Sequence, residues 1–144
     1  MNKIKLIFSV IIPLLFISGC SSSNSTTGFE FGKGKYRFTM SDSTGSKLAE
    51  GILNVVSYSN NKISGTYDIT KKYKEFDGIE VMNGEFSGDI NKTEKTVFIN
   101  TNPKIADANV FWNMKFTKSG LSGTWIYSVF RGNATGGKVK ITKY

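Results

Sequence analysis

The side chains that could do chemistry are few in this 144-residue chain. Histidine is absent, which removes the commonest general base, the Ser-His-Asp triad and most zinc sites. Asp68, Glu85 and Asp89 each fall on the polar side of an alternating segment, so we predict surface charge rather than a glycosidase-like pair. The sequence has no calcium-loop motif and no phosphate-binding glycine loop. We therefore predict no catalytic residue, no metal site, no cofactor and no enzymatic activity.

The single cysteine, Cys20, has a different predicted role. Lys3 and Lys5 precede an apolar run over 6–17, and small residues and Cys20 follow it. Ile17-Ser18-Gly19-Cys20 resembles the bacterial lipobox, whose cysteine is acylated and becomes the mature N-terminus. This order is typical of an export signal. The alternatives are a transmembrane anchor or a plain secretory signal with a chance cysteine.

The resemblance to a lipobox divides the chain into three parts. Residues 1–19 are predicted to be a removed signal peptide, and residues 20–32 to be a lipidated cysteine, carrying palmitate or a similar acyl chain, with a Ser-rich flexible tether. Residues 33–144 have the size of one folded domain. The expected location is the cell envelope, with the protein held on a membrane by its lipid anchor and facing the periplasm or the exterior.

The charge of the chain is formally +8, and removal of Lys3 and Lys5 would leave +6. A basic exported protein is attracted to anionic lipids and acidic polymers, whereas export separates it from nucleic acid, which we do not expect as a partner. The stretch with the highest density of charged residues, 71–77, contains both acidic and basic side chains. We predict that it is a solvated loop.

The domain sequence alternates apolar and polar residues with period two, which predicts an all-β protein. Eight such segments joined mostly by short turns predict an antiparallel up-and-down meander. Eight strands can close into a barrel, and we expect the first strand, around 36–40, to pair with the last, around 138–142. Two packed four-stranded sheets are the competing architecture.

An apolar-x-Gly-x-aromatic pattern occurs three times, as "ISGTY", "MNGEF" and "LSGTW". Its three key residues lie two apart and so share one face of a strand. We expect Gly65, Gly84 and Gly123 to face a crowded barrel interior and to exclude larger side chains because of packing. "LSGTW" and "ISGTY" resemble avidin-family strand starts, and "GKY" resembles the lipocalin Gly-x-Trp, with Tyr36 in place of tryptophan. The resemblance covers 33–144 and implies a lipocalin-like, calycin-type barrel, without the polar residues by which avidins hold biotin.

Aromatic side chains dominate the predicted interior face. If these rings pack together as the hydrophobic core, they need no further function. If they line a ligand-binding pocket, they would supply its flat apolar walls. The candidate ligand-binding residues are Tyr36, Phe38, Tyr67, Phe86, Trp112, Trp125 and Tyr127, and Phe116 lies on the same face.

Two functions follow from this pattern. The first is a lipid-anchored envelope protein whose non-enzymatic barrel binds a small apolar or amphipathic ligand near its open end. The alternative is a filled barrel that serves as a rigid frame and recognises an envelope protein or anionic polymer through its loops, as an inhibitor or assembly factor. An accessible cavity would favour the first function.

Overall fold

The eight segments form a closed antiparallel barrel. The computed structural model describes residues 28–144, without the side chains of Asn133 and Ala134. The strands are β1 (Gly34–Asp42), β2 (Lys47–Ser59), β3 (Lys62–Lys72), β4 (Glu85–Asn91), β5 (Thr96–Asn100), β6 (Ala108–Phe116), β7 (Gly120–Val129) and β8 (Gly132–Lys143). Each pairs with its neighbours in chain order, so the predicted meander is confirmed and the two-sheet sandwich is wrong.

The barrel is closed by pairing of β1 with β8, as expected. Phe38 lies opposite Ile141 and Met40 opposite Val139 in this antiparallel register. The alternating pattern of β1 places Tyr36, Phe38 and Met40 inside, all buried. Closure therefore pairs both outer strands of the meander, which leaves neither as an open edge.

The second copy of the glycine pattern differs from the prediction. A 3-10 helix at Ile79–Val81 precedes β4, and Met82 and Gly84 lie before the strand begins at Glu85. Gly84 has a φ of 85°, a left-handed conformation that glycine adopts easily. The predicted crowding of Gly84 by neighbouring rings is therefore wrong: an added Cβ would meet only the backbone oxygen of Tyr67, at 3.3 Å, and the left-handed φ is what favours glycine there.

The other two copies lie within strands with all three residues on one face. Ile63 and Tyr67 flank Gly65, and all four apolar and aromatic members of these two copies are buried. A Cβ at Gly65 would lie 2.0 Å from Asn54 O, which is backbone of the neighbouring strand. The glycine is needed chiefly because a backbone carbonyl, rather than a ring, occupies the space.

One end of the barrel is covered by the segment between β3 and β4. Phe76, Val81 and Met82 from this segment pack against the core. The Asn102 side-chain amide donates a hydrogen bond to Val81 O at 2.7 Å. This closed end, defined by residues 73–84, leaves the opposite end as the place where a ligand could enter. None of the helices within residues 28–144 has the length and hydropathy needed to cross a membrane.

Candidate functional site

Every second turn of the meander lies at the open end of the barrel. The β2–β3, β4–β5 and β6–β7 turns meet there with the start of β1 and the end of β8, because successive antiparallel strands reverse direction. Between them lies a cavity of about 1100 Å³ that we call the mouth pocket. Its volume is slightly above the usual range for small-molecule sites, about 300–1000 Å³.

Aromatic rings form the floor and one wall of the mouth pocket. The Phe31 ring centroid lies 4.7 Å from that of Tyr36, and Phe29 lies 6.3 Å from Phe31. The Tyr36 hydroxyl donates a hydrogen bond to Gly32 O and accepts one from Gly32 N, each at 3.0 Å. This pair of bonds folds the segment before β1 across the barrel end. Other rings lining the pocket are Tyr58, Phe116 and Tyr144.

The folded part of the chain therefore begins earlier than the sequence suggests. Phe31, within the range assigned to the tether, is buried, and Phe29 packs against it. The alternation Phe29-Glu30-Phe31 is the signal that could have extended the domain by four residues before Lys33. Residues 20–27 of the predicted tether, Cys20 among them, and the predicted signal peptide lie outside the described residues.

Most of the predicted interior aromatics form the packed core. Phe38, Tyr67, Phe86, Trp112 and Trp125 are buried. Trp112 and Trp125 are cross-strand partners, but their rings pack against different aromatic residues. The ring centroids of Trp112 and Phe38 lie 5.1 Å apart, and those of Trp125 and Phe76 lie 5.3 Å apart. These rings fill the barrel.

Two of the predicted residues touch the mouth pocket and one lies at the closed end. Tyr36 and Phe116 line the pocket. Tyr127 is half-buried, and its hydroxyl lies 3.5 Å from the Glu80 carboxylate. Ligand contact by the seven candidates stays a prediction, and among them the geometry favours Tyr36.

The Tyr67 hydroxyl has a structural partner in the core, whereas Trp112 Nε1 and Asn109 Oδ1 are buried without a hydrogen-bond partner among residues 28–144. Burial raises the pKa of the Tyr67 hydroxyl to about 12, and this hydroxyl donates to Thr101 O at 2.9 Å. It is therefore a neutral donor rather than a proton-transfer group near neutral pH. Within residues 28–144, no three His, Cys, Asp or Glu side chains lie close enough together to share a metal ion.

The carboxylates considered as chemical groups lie on the outer surface. Asp68 and Asp89 are exposed and Glu85 is half-buried. Glu85 forms an ion pair with Lys104 at 2.9 Å, and Asp89 forms one with Lys62. These positions agree with the surface role inferred from strand alternation.

Comparison with protein-family models, with curated proteins and with solved structures finds no match to this chain. The barrel and the mouth pocket are therefore the features that indicate its function.

Proposed function

We propose that this protein is a lipid-anchored component of the cell envelope whose non-enzymatic barrel binds a small apolar or amphipathic ligand in the mouth pocket. The barrel is a rigid frame, closed through β1 and β8, and the pocket opens opposite the end covered by residues 73–84. The partners in this proposal are the membrane, through acylated Cys20, and the pocket ligand.

The observation that supports binding is the aromatic lining of the pocket. Six rings line it, and Phe31 and Tyr36 among them are buried against the core, so the apolar floor is preformed. Flat rings contribute large apolar contact area with little loss of side-chain freedom. An acyl chain or a planar apolar group is thus the chemistry that the floor accepts.

Phe116→Ala is expected to weaken ligand binding about tenfold, since a buried phenylalanine contact contributes about 1.5 kcal/mol. The measurement is a fluorescence titration with the neutral apolar probe N-phenyl-1-naphthylamine. Phe111→Ala is the matched control, because Phe111 lies in the same strand but stacks on Phe98 at 5.5 Å, away from the pocket. Equal affinity of both variants and the parent would place the binding site elsewhere.

Cys20→Ser is expected to abolish acylation of the chain. The parent protein purified from membranes should begin at Cys20 and carry the added mass of its acyl chains, and it should partition into detergent. Intact-mass measurement distinguishes the two forms. A parent chain with an unmodified Cys20 thiol would contradict the lipid anchor.

The filled core supports a second candidate function. With Trp112 and Trp125 both buried, the barrel interior is a rigid scaffold, and the loops at its ends would recognise an envelope protein or anionic polymer. In that case the neutral probe does not bind, and Phe116→Ala changes only stability.

A further inference from the structure

Lysines form the rim of the mouth pocket. Six of them line it, and all six are exposed: Lys33, Lys35, Lys92, Lys95, Lys118 and Lys143. Glu30 is the acidic residue among the lining side chains, so these side chains carry a formal charge of +5. A concave site lined by one sign of charge concentrates ligands of the opposite sign.

None of the rim lysines forms an ion pair among residues 28–144, and Glu30 offsets only one of their six charges. Within the described part of the chain, the lysines that form ion pairs with carboxylates are Lys47, Lys62, Lys72 and Lys104, none of which belongs to the rim. Residues 1–27 contain no Asp or Glu, so that part of the chain supplies no carboxylate either. An external anion bound at the rim would therefore offset this positive charge.

The chain also enters the barrel at this end. Gly28 and Phe29 line the mouth pocket, and Cys20 lies eight residues earlier in the sequence. Eight residues span at most about 29 Å when extended. An acyl group on Cys20 would hold the rim close to the lipid surface.

We propose that the mouth faces the membrane carrying the anchor and that the lysine rim binds the head group of an anionic phospholipid. This inference rests on the proposed function, because it requires the lipid on Cys20. Each lysine near an anionic surface contributes about 1 kcal/mol, and ammonium groups bind phosphate without strict geometric demands. The rings of Phe29, Phe31 and Phe116 supply the apolar contact for the adjoining acyl chain.

Lysine labelling of the mature, acylated chain in vesicles tests this orientation. The protein is reconstituted into phosphatidylcholine vesicles with or without phosphatidylglycerol, and acetylation of each lysine is followed by mass spectrometry. Labelling of Lys92, Lys95 and Lys118 should slow about fivefold with phosphatidylglycerol, which corresponds to about 1 kcal/mol per lysine. High salt should remove the difference by screening.

Lys71 and Lys74 serve as internal controls, because both are exposed near the closed end, away from the pocket. Their labelling should be the same in both lipids. Equal slowing at both ends, or none at the rim, overturns the proposal. Inorganic phosphate added to phosphatidylcholine vesicles should protect no lysine, and protection by phosphate alone would assign the rim to a free anion instead.

A charge-matched pair of variants adds a second test. Lys92→Gln combined with Lys118→Gln should reduce protection of Lys95 by phosphatidylglycerol, whereas Lys71→Gln combined with Lys74→Gln should leave it unchanged. Binding of the neutral probe without rim protection would overturn this inference and leave the proposed function standing. Rim protection without probe binding would leave this inference standing and overturn ligand binding in the mouth pocket. An unacylated Cys20 would overturn both the lipid anchor and the membrane-facing orientation of the mouth.

Discussion

Gly123→Ala is expected to lower the free energy of unfolding by about 3 kcal/mol or more, at the upper end of overpacking effects. An added Cβ would lie 1.9 Å from Asn113 O and 2.6 Å from Met114 Cα, and both atoms belong to the backbone of the neighbouring strand. Backbone cannot rotate away as a side chain does, so β6 and β7 would have to separate. Small domains are stable by only about 5–15 kcal/mol. Urea unfolding followed by circular dichroism measures the loss.

Two other glycines provide controls for this substitution. Gly32→Ala should be nearly neutral, because the added Cβ meets only Tyr58 Cδ1 at 3.7 Å, an ordinary contact. Gly84→Ala should cost about 1–2 kcal/mol through its left-handed backbone rather than through overpacking. Unchanged stability of the Gly123→Ala protein would contradict the close approach of β6 to β7.

Trp125→Ala is expected to destabilise the barrel by about 3–5 kcal/mol because it empties a large buried volume. The indole is buried, packs on Phe76 and donates from Nε1 to Ser41 O at 2.8 Å. Loss of the ring removes contacts from the barrel wall and from the segment that covers the closed end. Denaturant unfolding and near-ultraviolet circular dichroism report the loss of packing.

Conservative substitution of the two tryptophans isolates the hydrogen bond. Trp112 Nε1 has no hydrogen-bond partner among residues 28–144, whereas Trp125 Nε1 has Ser41 O. Both changes to phenylalanine remove similar atoms, so Trp125→Phe should cost about 1–2 kcal/mol more than Trp112→Phe. Equal losses from the two substitutions would show that the Ser41 bond contributes nothing net.

The sequence by itself determined the strands, their order and the inward faces. Tyr36, Phe38 and Met40 alternate with polar neighbours, and this period places them on one side of any strand that buries them. Short turns then favour antiparallel neighbours, and the two outer strands need partners, so the sequence favoured closure of β1 on β8, and the structure decided it against the two-sheet sandwich. The strands, their order and their inward faces depend on local spacing and on chain connection, which a sequence contains in full.

Local spacing also misled the prediction in one place. "MNGEF" has the same spacing as "ISGTY", yet the 3-10 helix at Ile79–Val81 and the φ of Gly84 delay the start of β4. The covering of the closed end by Phe76 and Val81 sets this path, and those contacts join residues far apart in the sequence. Tertiary packing therefore overrode the strand pattern.

The mouth pocket was decided only by the tertiary structure. Phe31, Tyr58, Lys92 and Phe116 come from four separate segments, and they line one cavity because ring closure brings alternate turns to the same end. The Trp125 bond to Ser41 likewise crosses β8 beside Gly137, where a Cβ would lie 2.7 Å from Nε1 and 2.0 Å from Ser41 O. Period-two alternation specifies which face a side chain takes. The distances that make a pocket or require a glycine arise from the curvature of the closed sheet, which no single strand encodes.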